Sequence, residues 1–133
     1  MALSWLFRRE KKSEADCADR ALDALEPDGA VVPSLWYTEV ANALLVGERR
    51  KIITPAQSID YLSRLSRLPI VTDDDATASR RDLVMSLARQ HSLSGYDATY
   101  LDLALRTSSE IATFDDDLAS AMRSAGGKVF GDS

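Results

Sequence analysis

Short runs of apolar, often β-branched residues alternate with longer amphipathic stretches along this chain of 133 residues. The runs are Ala30–Val32, Pro69–Thr72, Ile111–Phe114 and Lys128–Phe130. Each run has the length of a strand, and the stretches between them have the apolar spacing of helices. Strands that alternate with helices predict a parallel sheet covered by helices. We therefore expect an α/β fold that forms a single domain over residues 1–133.

Local capping signals predict where several of the helices begin. Thr54-Pro55 places a capping residue before a proline at the first helical position. Ser13 and Ser34 are plausible caps for two earlier helices, the second of which is predicted over roughly 35–48. In the helix after Thr54, the apolar stripe is predicted to consist of Ile59, Leu62 and Leu65.

The acids Asp73, Asp74 and Asp75 directly follow the second predicted strand. We interpret them as a turn whose charges favour the N-terminus of the next helix, rather than as an acidic site. Further along, Asp97 is predicted to open a helix, and Asp115 stands where a strand ends and another helix begins.

Composition excludes several classes of protein. The net charge of −5 argues against a general nucleic-acid coat protein, although a nuclease whose acids hold a metal remains compatible with it. The chain contains one histidine, His91, and one cysteine, Cys17, so it cannot form a zinc finger or an internal disulfide. No apolar run has the length of a membrane span, and we expect a cytoplasmic protein.

Glu39, Asp97 and Asp115 lie far apart in the chain, within the phrases VPSLWYTEVANALL, LSGYDATYLDLALR and IATFDDDL. Carboxylates from distant segments commonly hold a divalent cation, and oxygen ligands favour Mg²⁺ or Mn²⁺ and phosphate chemistry. Each acid also has a structural alternative. Glu39 would be a surface residue of a helix, and Asp97 and Asp115 would each be a helix N-cap.

The order and spacing of these phrases resemble the PIN-domain family, and in particular the VapC-type toxins of bacterial toxin–antitoxin pairs. The resemblance covers nearly the whole chain. It rests on Val32-Pro33 to Trp36, Glu39–Leu44, Leu93, Tyr96–Ala98, Tyr100-Leu101, Ala112-Thr113, Asp115, Leu118, Ala125-Gly126 and Val129.

The resemblance implies a three-layer α/β/α sandwich with a central parallel sheet and an acidic site for Mg²⁺ or Mn²⁺. It also implies an endoribonuclease that cleaves RNA, often transfer RNA, that forms a homodimer and that is silenced by a VapB-like antitoxin. The acids around the metal would be Glu39, Asp97 and Asp115, with Asp117 as a further acid. Asn42 and Thr113 would line the same pocket.

The chain departs from the family at its start. Members of the family open with a strand that ends in an aspartate, and here we expect that N-terminal strand and its acid to be absent. Two explanations stay open. The chain is a truncated version of a longer natural protein, or it is a degenerate module that binds an antitoxin or RNA without cleaving. A phosphate-accepting receiver-like domain, with Asp115 as acceptor and Lys128 as the late lysine, is a weaker third interpretation.

Overall fold

A computed structural model of the chain describes residues 29–73, 78–113 and 115–130, without the side chain of Ser79. In order, the described elements are β1 (Ala30–Pro33), α1 (Leu35–Arg49), α2 (Pro55–Leu65), β2 (Ile70–Asp73), α3 (Ala78–His91), α4 (Gly95–Arg106) and α5 (Asp116–Ser124). β1 and β2 pair as a parallel two-stranded sheet, so the predicted α/β class is confirmed. The helix predicted after Ser13 lies outside the described residues.

The chain divides into two compact units between Val71 and Thr72. We call residues 29–71 the first unit and the described residues from Thr72 to Phe130 the second unit. The core of the first unit is formed by buried apolar side chains of α1, α2 and the segment between them: Val40, Leu44, Ile53, Tyr61 and Leu65. The partly buried side chains of Trp36, Leu68 and Ile70 pack against this core.

Gly29 fixes the approach of the chain to β1. Its φ of +73° lies in the left-handed region, and a Cβ added there would lie 2.7 Å from the carbonyl oxygen of Pro69. The next residue, Ala30, donates its backbone N–H to that same oxygen at 2.9 Å. A residue without a side chain is therefore required where the two segments meet.

The prediction for α2 was right about its start and, for the buried face, right about Leu65 only. Thr54 caps the helix as predicted, in a reciprocal capping box with Gln57. The buried positions are Ser58, Tyr61 and Leu65, while Ile59 is 70% exposed. Ser58 is acceptable inside because its hydroxyl donates to the Glu48 carboxylate at 2.7 Å. The other two predicted residues, Ile59 and Leu62, each lie one position after a buried residue.

The second unit has its own core, in which side chains of α4 and α5 pack together. Leu101 and Met122 are its most deeply buried large side chains. The other buried members are Ala104, Ile111, Leu118, Ala119, Ala121 and Val129. This packing holds the start of α5, where two of the predicted site acids, Asp115 and Asp117, lie.

The two strands predicted near the C-terminus are reduced to one parallel bridge between Ile111 and Val129. Ile111 donates its N–H to the carbonyl of Lys128 and accepts from the N–H of Phe130, at 3.0 and 2.8 Å. Two residues after the bridge, the hydroxyl of Thr113 accepts from the N–H of Asp115 in the cap of α5. Among the described residues, no helix has both the length and the apolar character of a membrane span.

Candidate functional site

Asp115 is the N-cap of α5, and its carboxylate is held in a fixed position. Its Oδ1 atom accepts hydrogen bonds from the backbone N–H groups of Asp117 and Leu118, at 2.9 and 3.1 Å. Its own N–H donates to the hydroxyl of Thr113 at 3.0 Å. The structural alternative for Asp115 is thus confirmed, and it does not exclude a second role. Among the described residues, no hydrogen bond reaches the other oxygen, Oδ2, of this exposed side chain.

Asp117 is exposed in the first turn of α5. The structure therefore brings Thr113, Asp115 and Asp117 together as one local group. Its geometry follows from the sequence, because an aspartate at an N-cap turns its carboxylate toward the N–H groups two and three residues later. The group combines two exposed carboxylates with one half-buried hydroxyl.

Asp97 is not an N-cap, which corrects that alternative. Ser94 caps α4, and its hydroxyl accepts from the backbone N–H of Asp97 at 3.1 Å. Asp97 is the third residue of the helix, half-buried, with its charge in the first turn. A carboxylate at this position is stabilised by the positive end of the helix dipole. The cap of α4 is therefore Ser94, and Asp97 belongs to the first turn of the helix.

Glu39 and Asn42 lie on α1 in the first unit, and both are exposed. They are three residues apart, so they share one face of the helix, away from the buried positions Val40 and Leu44. Ser34 precedes this helix as predicted but makes no capping hydrogen bond with its side chain. The predicted pair of Glu39 and Asn42 therefore shares the solvent-facing side of α1.

The donors at these positions suit a hard cation. Carboxylate oxygens of Asp115 and Asp117, with the Thr113 hydroxyl beside them, are the oxygen ligands that Mg²⁺ and Mn²⁺ prefer. Within the described ranges, no group of three or more His, Cys, Asp or Glu side chains is placed to hold a metal ion. The described residues of the second unit thus provide oxygen ligands suited to Mg²⁺ or Mn²⁺, as part of the set that a cation site requires.

A chain of charged side chains in the second unit was not predicted from the sequence. Arg80 of α3 donates to both carboxylate oxygens of Asp102, with Nε 3.2 Å from Oδ2. Arg106 donates to both oxygens of Asp73, at 2.7 and 3.3 Å, and its Nε lies 3.5 Å from Asp102. The hydrogen bond with Asp73 raises the pKa of the Arg106 guanidinium above its ordinary value. We call these four residues the Arg80–Asp73 network.

The network corrects the interpretation of Asp73 as part of a turn. Asp73 is the last residue of β2, and its charge pairs with α4 instead of favouring the next helix; Asp74 and Asp75 lie outside the described residues. A signal in the sequence could have indicated the network. Asp102 stands among Leu101, Leu103 and Ala104, and a buried acid in such surroundings requires a cationic partner.

The family model of the PIN domain matches the chain over residues 2–123, and the chain therefore belongs to the PIN-domain family. No curated protein matches the chain in a direct comparison. PIN domains are in general metal-dependent nucleases that act on RNA or other nucleic acids.

Proposed function

We propose that this PIN-domain chain is a metal-dependent endoribonuclease toxin of a type II toxin–antitoxin system, with transfer RNA as a candidate substrate. The observation that carries the proposal is the Asp115 carboxylate at the start of α5. One of its oxygens is fixed by two backbone N–H groups, and the side chain is exposed. A carboxylate held in this way has a defined position before any ligand arrives, which lowers the cost of binding one.

In the proposed site, Glu39, Asp97 and Asp115 hold Mg²⁺ or Mn²⁺, and Asp117 is a further acid. When bound, the cation stabilises the charge that develops on the phosphate and favours ionisation of the attacking water. The residues of the chain do the rest. One carboxylate of the proposed site acids orients the attacking water and accepts its proton. Asn42 and Thr113 supply neutral hydrogen-bonding groups to the pocket.

The resemblance also supports a homodimer, a VapB-like antitoxin as partner and a cytoplasmic location. Sedimentation of the purified chain tests the dimer, because a monomeric mass at micromolar concentration would contradict it. Co-purification with the product of a small neighbouring gene tests the antitoxin. Neither measurement depends on cleavage, so each can fail without affecting the proposed chemistry.

The central experiment compares Asp115→Asn with Asp116→Asn. Asparagine is as good an N-cap as aspartate, so α5 remains capped while the charge at the proposed ligand is lost. Asp116 is exposed in the same first turn, so its variant changes the net charge equally without a proposed role in the site. Cleavage of a transfer-RNA pool with Mn²⁺ should fall roughly 100-fold or more in Asp115→Asn and stay within about twofold in Asp116→Asn.

Calorimetric titration with Mn²⁺ gives a second readout that does not require activity, and Asp115→Asn should weaken the binding of the ion. Asp97→Asn should behave in the same way as Asp115→Asn in both assays. Equal cleavage by Asp115→Asn and the parent chain would remove Asp115 from the site. Silence from the parent chain, and from the chain extended by the in-frame codons before Met1, would favour the module that binds without cleaving.

A further inference from the structure

A cavity of about 280 Å³ opens at the surface of the first unit. Tyr37 and Ala41 of α1 form one wall, and Leu62 of α2 with Ser66 and Leu68 after it forms the other. Most of its lining is apolar, and Ser66 adds a polar side chain. Pockets for small ligands usually measure about 300–1,000 Å³, so this cavity has room for one flat ring system and not for a long peptide segment.

An aromatic pair gives the cavity a rigid flat surface. The rings of Trp36 and Tyr37 meet edge to face, with centroids 5.1 Å apart and an angle of 83°. Trp36 packs against the core of the first unit, while Tyr37 remains 47% exposed. The half-buried ring of Trp36 thus contacts the exposed ring of Tyr37. Aromatic side chains presented in this way are surfaces on which unpaired nucleobases stack.

The charge of the first unit differs from that of the whole chain. Residues 29–71 contain five Lys and Arg residues against three Asp and Glu, although the complete chain has a net charge of −5. Arg67 lies between Ser66 and Leu68, which both line the cavity, and it is exposed. It forms no ion pair with any residue in the described ranges. An exposed cation next in sequence to residues that line an apolar cavity is complementary to a phosphate beside a base.

We propose that this cavity is a subsite for one unpaired nucleobase of an RNA strand. The base lies against the ring of Tyr37, and an adjoining phosphate contacts Arg67. The inference rests on the proposed ribonuclease function, and it makes the substrate a strand with at least one unstacked base rather than a continuous duplex. A base in a duplex has its faces covered by its neighbours, so its ring cannot reach Tyr37.

The experiment measures binding in EDTA, where cleavage does not interfere. The probe is a fluorescein-labelled octaadenylate, free or annealed to octauridylate, and the readout is anisotropy with the full chain. The single strand should bind more tightly than the duplex. Tyr37→Ala should weaken single-strand binding about 10-fold, because stacking of one base corresponds to roughly 5- to 150-fold in affinity. Tyr37→Phe keeps the ring and should bind as the parent does.

Arg67→Gln should weaken binding and lower the slope of log K against log salt concentration by about 0.7, the value for one phosphate contact on a single strand. Arg49→Gln is the matched control, since Arg49 is an exposed arginine of the same unit whose neighbours in the chain do not line the cavity. Circular dichroism verifies that each variant is folded. If Arg49→Gln reduced the magnitude of this slope more than Arg67→Gln does, the phosphate contact of Arg67 would be overturned.

Unchanged affinity in Tyr37→Ala, or equal affinity of the parent for single strand and duplex, would overturn the subsite. If Tyr37→Ala instead converts a sedimenting dimer to a monomer and leaves RNA binding intact, the cavity belongs to a protein interface and the proposal is wrong. The cleavage assay tests the proposed function separately from this subsite. Absence of cleavage with Tyr37-dependent RNA binding would contradict the nuclease alone.

Discussion

Removal of the Asp102 carboxylate tests the Arg80–Asp73 network most directly. The side chain of Asp102 is 6% exposed, and those of Arg80 and Arg106 are 29% and 21% exposed. In Asp102→Ala, the Arg80 guanidinium loses both hydrogen bonds to this carboxylate, whereas Arg106 keeps its paired contact with Asp73. The substitution thus leaves one partly buried cation without the acid that it faces.

Breaking a buried ion pair by removing one partner typically costs about 3–5 kcal/mol. Arg80 retains partial access to water, which screens its charge, so we expect a loss below that range, about 2–3 kcal/mol, for Asp102→Ala. For a chain of 133 residues, this corresponds to a fall in Tm of about 10 °C. Urea unfolding followed by circular dichroism measures the free energy, and a thermal scan measures the shift in Tm.

Asp60→Ala is the matched control. Asp60 pairs with Arg64 at 2.8 Å on the surface of α2, with side chains 63% and 74% exposed. Exposed pairs contribute little, and we expect a loss of about 0.5 kcal/mol or less. If Asp102→Ala were as stable as Asp60→Ala, the argument from burial would be refuted. The double variant Asp102→Leu with Arg80→Met should recover part of the loss, because it leaves no uncompensated charge.

Two further predictions concern the first unit. Gly29→Ala should lower the free energy of unfolding by about 1–3 kcal/mol, because its methyl group meets the Pro69 carbonyl at a positive φ; Gly95→Ala, with open space around the added carbon, should be neutral or slightly stabilising. A neutral Gly29→Ala in urea unfolding would contradict this. Burial raises the pKa of the Tyr61 hydroxyl, so its stabilising contribution is complete below about pH 10 and is lost as pH rises through the raised value. Tyr61→Phe should therefore show a shallower alkaline loss of stability, and equal slopes between pH 9 and 11 would refute the reasoning.

Features that depend on neighbouring residues could be predicted from the sequence. The Thr54 capping box and the Asp115 cap are decided within three or four residues, because the donors and acceptors involved are close in the chain. Asp97 shows the limit of such reasoning. Ser94 is the N-cap instead, because its hydroxyl accepts from the third backbone N–H of the helix, which is that of Asp97.

The candidate site could be predicted as a set of residues and not as an assembled centre. Carboxylate chemistry and the family phrases indicate Glu39, Asp97 and Asp115, and the family match confirms the PIN-domain membership from which the set was inferred. The roles of these acids remain predictions. Their spacing in the chain contains no information about distances between segments, so the sequence alone could not supply the geometry of a cation site.

The sequence by itself determined the α/β class, the extent of α1, the start of α2 and the cap at Asp115, because these follow from short-range periodicity and hydrogen bonding. Only the tertiary structure decided which face of α2 is buried and which acid meets which arginine. Burial of Ser58 depends on Glu48, and burial of Asp102 depends on Arg80. A polar side chain enters a core when a partner from another segment compensates its lost hydration, and packing determines which segments become neighbours.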